Sequence, residues 1–265
     1  MRSWAIDEQP DAQTVKMILQ ENKSITHVAM VHSETTSGIL NDVQSIGRVV
    51  KEAGATFIVD AMSSFAGVDI PVREWGIDCI ISSANKCIQG VPGFAYVIVR
   101  KDLLAACEGN ARSLALDLYD QWKTMNVDGK WRFTSPTHVV LAFAKAMEEL
   151  EAEGGITARH ERYAANEKLL RKKLSALGFV PFLEQEVQGP IITTFYYPAG
   201  YNFSFQEMYD YIKERGYILY PGKTTKAETF RVGNIGEIYQ DDIDKVAGLL
   251  SDFLDSKRNL QAKGA

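Results

Sequence analysis

Three observations predict an α/β fold, with a doubly wound, mainly parallel sheet in residues 1–150 and a smaller α+β domain in residues 151–265. Short apolar runs rich in β-branched and aromatic residues alternate with stretches of helical periodicity through the first part, the order expected of βαβ units. After Gly154-Gly155 that alternation gives way to a long helical stretch and then to closely spaced strand signals. A chain of 265 residues with 46% hydrophobic and 24% charged side chains can also bury a large core, which argues against disorder.

The elements follow in order. Asp11 is placed to cap a short helix in which Val15, Ile18 and Leu19 share a stripe, and His27–Val31 then reads as a buried strand. Val43–Ala53 reads as a helix stopped by Gly54. Thr56–Val59, Cys79–Ser82 and Phe94–Val99 read as further strands of one parallel core. Gly90-Val91-Pro92-Gly93 is a turn signal, either plain hairpin punctuation, which is slightly favoured, or a device that places the residues around Lys86. Trp122, Trp131 and Phe133 read as packing of a core or of a dimer. From Pro136 a helix carries Val140, Phe143, Met147 and Leu150 on one stripe, and a second helix from Thr157 to Leu177 bridges to the smaller domain. There, strands are predicted at Gly178–Phe182, Ile191–Tyr197, Tyr217–Tyr220 and Thr229–Val232, with a helix at Phe205–Glu214. A closing helix is striped by Ile243, Val246, Leu250 and Phe253.

Two strand ends carry the chemistry. Asp60 closes the run Thr56-Phe57-Ile58-Val59, and Lys86 follows Ile80-Ile81-Ser82-Ser83 after two residues. Ligands of open α/β sheets collect at the carboxyl ends of the strands, so both side chains are expected to face one crevice. An amine that condenses with an aldehyde and a carboxylate that keeps a pyridine nitrogen protonated are the two groups pyridoxal phosphate chemistry needs. At about 4 Å and an effective dielectric near 20, the carboxylate favours the pyridinium by about 4 kcal/mol, roughly three pKa units before desolvation. On spacing alone the same residues also read as a helix-capping aspartate and a solvated loop lysine.

Longer motifs narrow the choice. His32-Ser33-Glu34-Thr35-Thr36-Ser37-Gly38, Val59-Asp60-Ala61-Met62-Ser63-Ser64-Phe65, Ser82-Ser83-Ala84-Asn85-Lys86-Cys87 and Arg231-Val232-Gly233-Asn234-Ile235-Gly236 occur in that order. Together they resemble the class V aminotransferases, and the resemblance runs over essentially the whole chain. It implies a fold type I pyridoxal phosphate enzyme whose doubly wound sheet is here incomplete. It also implies Lys86 as the Schiff-base lysine, Asp60 as the partner of the ring nitrogen, Thr35 as a donor near the ring hydroxyl and Met62 as packing under the ring. Asn85 and Thr134 would approach the phosphate, Thr134 across the interface of a homodimer. Arg231 would take the acidic group of the substrate, for which a guanidinium fork is well suited. The wording of Ser83–Phe94 and of Lys130–His138 is most similar to members that move the amino group of 2-aminoethylphosphonate to pyruvate. A serine or alanine:glyoxylate type and a non-catalytic remnant of the family are the alternatives. Relative to the family, the chain is expected to lack an N-terminal third, with its Gly-Ser-Gly-Thr phosphate turn and the aromatic residue stacked on the ring.

Other classes find little support. Net charge is −5, and no basic run is interleaved with aromatics, so nucleic acid is not an expected partner. The stretch Lys168–Lys173 reads as a solvated helix face. Apolar runs are too short for a bilayer crossing, and the cytoplasm is the default location. Cys79, Cys87 and Cys107 form no close-spaced pair, and His27, His32, His138 and His160 lack metal-ligand spacing, so no metal is assigned. His32 beside Glu34 could form an acid–base pair, but a hydrogen-bonded structural histidine is favoured. Lys223 reads equally as a ligand for an anionic substrate and as a solvated turn residue.

Overall fold

Helices and strands alternate through the first half of the computed structural model, which describes residues 4–222 and 228–264. Helix α1 (Ala12–Glu21) is capped by Asp11, whose side chain accepts from Thr14 N at 2.7 Å. Strand β1 (His27–Val31) leads to a small hairpin of β2 (Ser33–Glu34) and β3 (Ile39–Leu40), then to α2 (Val43–Glu52) and β4 (Thr56–Asp60). Strands β5 (Cys79–Ser83) and β6 (Ala95–Val99) complete a sheet of order β1-β4-β5-β6. Helices α1 and α2 cover one face, where Val15, Leu19, Ile46, Val50, Phe57, Val59 and Ile80 form a core. Each such side chain contributes about 1.5–3 kcal/mol when fully buried.

Two expectations are corrected here. The fourth strand is not part of a parallel set: β6 runs antiparallel to β5, with Ser83 opposite Ala95. A parallel return needs a crossover of a dozen or more residues, usually helical, and the short turn after Ser83 supplies none. Strand β1 is also not buried, since His27 and Ala29 are exposed; it lies at the sheet edge with β4 as its neighbour in the strand order. The hairpin reading of Gly90–Gly93 fits this topology.

Two short helices follow that the sequence pattern does not predict, α3 (Lys101–Ala105) and α4 (Leu118–Asp128). The predicted aromatic cluster divides: Trp122 packs on Tyr119, Trp131 packs edge-on against Phe94 at 5.9 Å, and Phe133 is 52% exposed. Helix α5 (Thr137–Glu153) buries Ala146 and Leu150. Consecutive left-handed glycines, Gly154 at φ 112° and Gly155 at φ 78°, then reverse the chain into α6 (Gly155–Ala176). On α6, Lys168 and Lys172 are exposed as expected, whereas Arg171 is drawn to the carbonyl of Leu183 at 2.7 Å.

The second half holds β7 (Val180–Pro181), β8 (Ile192–Tyr196), α7 (Phe205–Lys213), β9 (Tyr220–Pro221), β10 (Thr229–Gly233) and α8 (Gln240–Gly264). Its sheet has the order β7-β8-β10-β9 and is antiparallel throughout. The predicted strand Tyr217–Tyr220 is shifted to β9 and Gly178–Phe182 is shortened to β7, because pairing is limited to the two residues that oppose β10 or β8. One face packs on α6, α7 and α8 through Phe195, Phe230, Leu170, Met208, Ile212, Leu250 and Phe253. The opposite face, carrying Arg231 across from Thr194, turns toward the first sheet.

Candidate active site

The carboxyl ends of β1, β4 and β5 lie side by side. Asp60 is in register with Val31 on one side and with Ile81 on the other. Its side chain accepts from Met62 N at 2.9 Å, an aspartate turn that ends the strand and sends the chain back across the sheet edge. The Cys87 thiol donates to the carbonyl of Ser63 at 3.1 Å, so the turn that carries Lys86 rests on the loop that follows Asp60. That turn is closed by Gln89 N donating to Lys86 O at 2.8 Å and Gly90 N donating to Ala84 O at 2.9 Å. Lys86, Asp60 and Met62 are half-buried and Asn85 is exposed.

Thr35 lies in the hairpin loop after β1, and the second half of the chain holds that loop. Gly189 N donates to Gly38 O and Leu40 N to Val187 O, both at 2.9 Å. Gly38 sits at φ +101°, and a Cβ there would fall 2.4 Å from the carbonyl oxygen of Ile192. Arg231, 5% exposed, donates through Nη1 to Thr35 O at 2.6 Å and through Nε to Pro221 O at 3.0 Å. Burial lowers its pKa, opposed by Tyr220 and Glu34, and a guanidinium stays charged regardless. Five N–H donors are not exhausted by two such contacts.

Thr35, Asp60, Met62, Asn85 and Lys86 thus belong to loops or strand ends at the carboxyl side of the first sheet, and Arg231, in the middle of β10 of the second sheet, reaches them through Thr35 O. Thr134 is exposed in the segment before α5, and no hydrogen bond among the described residues ties it to the Lys86 turn. Lys223 lies outside the described residues. His32 is 2% exposed, with Nδ1 2.9 Å from Ser64 Oγ and its ring edge-on to Trp75, while Glu34 accepts from Thr36 N. Burial pushes the imidazole down to about 4, so it is neutral at pH 7 and takes the structural role.

Several residues here escaped the sequence reading. Arg159 of α6 donates to the carbonyls of Cys87 and Ile88 at 2.8 and 3.2 Å and pairs with Glu153 at 2.6 Å. The Tyr163 hydroxyl accepts from Gln89 Nε2 at 2.7 Å and from Gly236 N at 3.3 Å. Arg162 bonds the carbonyl of Gly236 at 2.7 Å and pairs with Glu153 at 2.7 Å. Burial raises the Glu153 carboxyl, but the two guanidiniums outweigh it and the net shift is downward. An acid before the glycine pair with two arginines after it was the available signal.

Two buried hydroxyls at the same sheet edge, Ser33 Oγ and Ser83 Oγ, have no hydrogen-bond partner among the described residues. A cavity of about 310 Å³ opens between the N-terminal residues Trp4, Ala5, Ile6, Glu8 and Pro10 and the hairpin side of Val31, Glu34, Thr36, Ile39 and Asn41, and neither Asp60 nor Lys86 lines it. A half-buried amine, a half-buried carboxylate and spare hydroxyls suit a small, charged, hydrogen-bonding ring better than a metal. No group of three or more metal-ligating His, Cys, Asp or Glu occurs among the described residues.

The profile of the family described as Aminotransferase class-V matches residues 4–232. A 2-aminoethylphosphonate–pyruvate transaminase of Lysinibacillus sphaericus (strain C3-41) is 54% identical over 253 residues, covering 96% of this chain and 69% of the relative. One of Bacillus thuringiensis (strain Al Hakam) is 54% identical over 233 residues, covering 88% of this chain and 64% of the relative. The chain therefore spans about two thirds of the length of these relatives. Among solved structures, pyridoxamine-pyruvate aminotransferase from Mesorhizobium loti superposes with a TM-score of 0.86 at 24% identity, covering 95% of this chain and 65% of that one. Alanine–glyoxylate aminotransferase from Nostoc sp. gives 0.82 at 21% identity, covering 94% and 66%. At those identities the structural matches establish the fold.

Proposed function

The chain belongs to the class V aminotransferase family, and from that membership we propose that it contributes the reactive lysine and ring-nitrogen partner for transfer of an amino group from 2-aminoethylphosphonate to pyruvate. The products are phosphonoacetaldehyde and alanine. The observation that carries the reading is the contact between the two loops of the site: Asp60 and Ile81 in register, and Cys87 seated on Ser63 at 3.1 Å. It leaves an amine and a carboxylate on neighbouring loops of one sheet edge. The phosphonate donor is favoured over serine or alanine with glyoxylate because relatives at 54% identity carry the former name, whereas the alanine–glyoxylate match is at 21%.

Class V aminotransferases use pyridoxal 5′-phosphate, which supplies the aldehyde for amine exchange and the electron sink for the donor's carbon. Asp60 would hold the ring nitrogen in its protonated form, Met62 would pack beneath the ring, and Thr35 and Asn85 would hydrogen-bond the ring hydroxyl and the phosphate. The Lys86 amine would move the proton at the amine-bearing carbon of the donor. Arg231 would orient the donor's phosphonate or the acceptor's carboxylate.

Thr134, exposed beside the exposed Phe133, would reach the phosphate of a second copy in a homodimer. Residues 1–150 would form the remaining part of the cofactor-holding domain and 151–265 the smaller one. No helix among the described residues is long and apolar enough to cross a membrane, and we assign the protein to the cytoplasm.

The test is to add pyridoxal phosphate, reduce with borohydride and map the labelled lysine by mass spectrometry. Label concentrated at Lys86, and diminished by Asp60→Asn, is the expected result. Heavy labelling elsewhere with Lys86 untouched refutes the assignment. Comparing turnover of 2-aminoethylphosphonate plus pyruvate with serine plus glyoxylate decides the substrate.

A further inference from the structure

We propose that Tyr163 and Arg159 of α6 are positioning residues that fix the Lys86 turn and fasten it to the loop following Arg231. The inference rests on the reading of Lys86 as the reactive amine. The turn has no helix of its own to stiffen it: after Lys86 the chain passes through Gln89 at φ +65°, a left-handed conformation that a glutamine seldom adopts unaided. The carbonyls of Cys87 and Ile88 accept from Nη1 of Arg159, which is 2% exposed and has its other edge against Glu153. Gln89 itself is anchored at both ends, its backbone N–H on Lys86 O at 2.8 Å and its side-chain amide on the Tyr163 hydroxyl at 2.7 Å.

The neighbouring residue of α6 extends the contact, with His160 Nδ1 2.9 Å from the carbonyl of Gly67. Gly67 in turn is packed so closely that a Cβ there would lie 2.4 Å from Cys87 Sγ and 3.2 Å from the Tyr163 ring. Arg159, His160 and Tyr163 therefore present one helix face to the Lys86 turn and the loop after Asp60. The Tyr163 hydroxyl also accepts from Gly236 N at 3.3 Å, in the loop that follows β10, five residues beyond Arg231. One oxygen atom thus bridges the turn of the amine and the loop beyond the guanidinium. A lysine on a four-carbon stem reaches a reacting atom productively only if its backbone is held to within a fraction of an ångström.

The experiment compares borohydride-fixed pyridoxal phosphate at Lys86 with that at the exposed Lys130 in the same sample of full chain, with unfolding followed separately by circular dichroism. Tyr163→Phe and Gln89→Ala should each lower the Lys86-to-Lys130 ratio about fivefold, the worth of one neutral hydrogen bond. The double variant should lower it no further than Tyr163→Phe alone, because loss of the hydroxyl already removes the Gln89 link along with the one to Gly236. Gln89→Glu, able to accept the Tyr163 O–H, should recover most of the ratio. Unchanged ratios in both single variants, effects that multiply, or no recovery overturn the proposal. Should Tyr163→Phe lose its fold, Gln89→Ala, at a half-buried site, decides alone.

If the unsubstituted chain takes no label at Lys86, the functional reading fails, and the positioning claim is judged by iodoacetamide alkylation. Either variant must then speed reaction of the buried Cys87 about fivefold relative to the buried Cys79. Equal rates overturn it.

Discussion

In the second sheet β8 and β10 each bury four of their five residues, whereas in the first sheet β1 and β6 leave residues such as Ala29 and Ile98 open to solvent. The second half builds its core from its own helices, with Phe230 against Phe179, Phe195 and Tyr197, and gives Arg231 a fixed base on the reverse face of the same strand. The first half places Asp60 and Lys86 at the ends of β4 and β5, the two strands with a neighbour on both sides, while its outer strands are less well covered. Asp60 and Lys86 thus ride on the flanked strands of the more open sheet, and the closed sheet and α6 hold the surrounding loops from outside.

This contrast can be broken or sharpened by measurement. Phe230→Ala should cost about 3–5 kcal/mol in urea unfolding. A loss near 1 kcal/mol would mean that the second core is looser than its packing indicates. His32 tests the interior of the first half through pH. Its folded pKa of about 4 lies below the ordinary 6.5, so the unfolded chain binds more protons between those values. Stability from this residue is complete above pH 6.5 and should fall as pH drops toward 4, by up to about 3 kcal/mol, a slope that His32→Gln should flatten. At the seam, Gly38→Ala meets both a positive φ and the carbonyl of Ile192, and a loss of about 1–3 kcal/mol in the same assay is expected. Ile98→Thr, on the open β6, should change stability by less than about 0.5 kcal/mol. A cost comparable to that of Phe230→Ala would show that β6 is covered in solution.

The legible parts were local. Asp60 and Lys86 stood out because each closes a short β-branched run, and consecutive parallel strands put their carboxyl ends together without further information. The helices around Val15, Phe143 and Leu250 followed from 3.6-residue periodicity. What the sequence concealed depends on distant partners. Arg231 was recognisable, but its contact with Thr35 O joins residues 196 positions apart. The reversed direction of β6 could have been read from the missing crossover helix, whereas the exposure of β1 depends on which strands flank it, and no residue of β1 encodes that. Arg159 and Tyr163 were hidden inside a regular helix pattern, where a buried tyrosine and a buried arginine look like ordinary helix residues.

The paired glycines 154 and 155 carry a consequence for the order of assembly. By reversing the chain between α5 and α6 they bring Glu153 onto Arg159 and Arg162, six and nine positions ahead. Loops of about ten residues close in roughly 10–100 ns, long before strand pairings of high sequence separation are expected to form. The clasp that later grips the lysine turn can therefore be knitted while both sheets are still fluctuating, and the slow strand pairings would dock onto an elbow already bent.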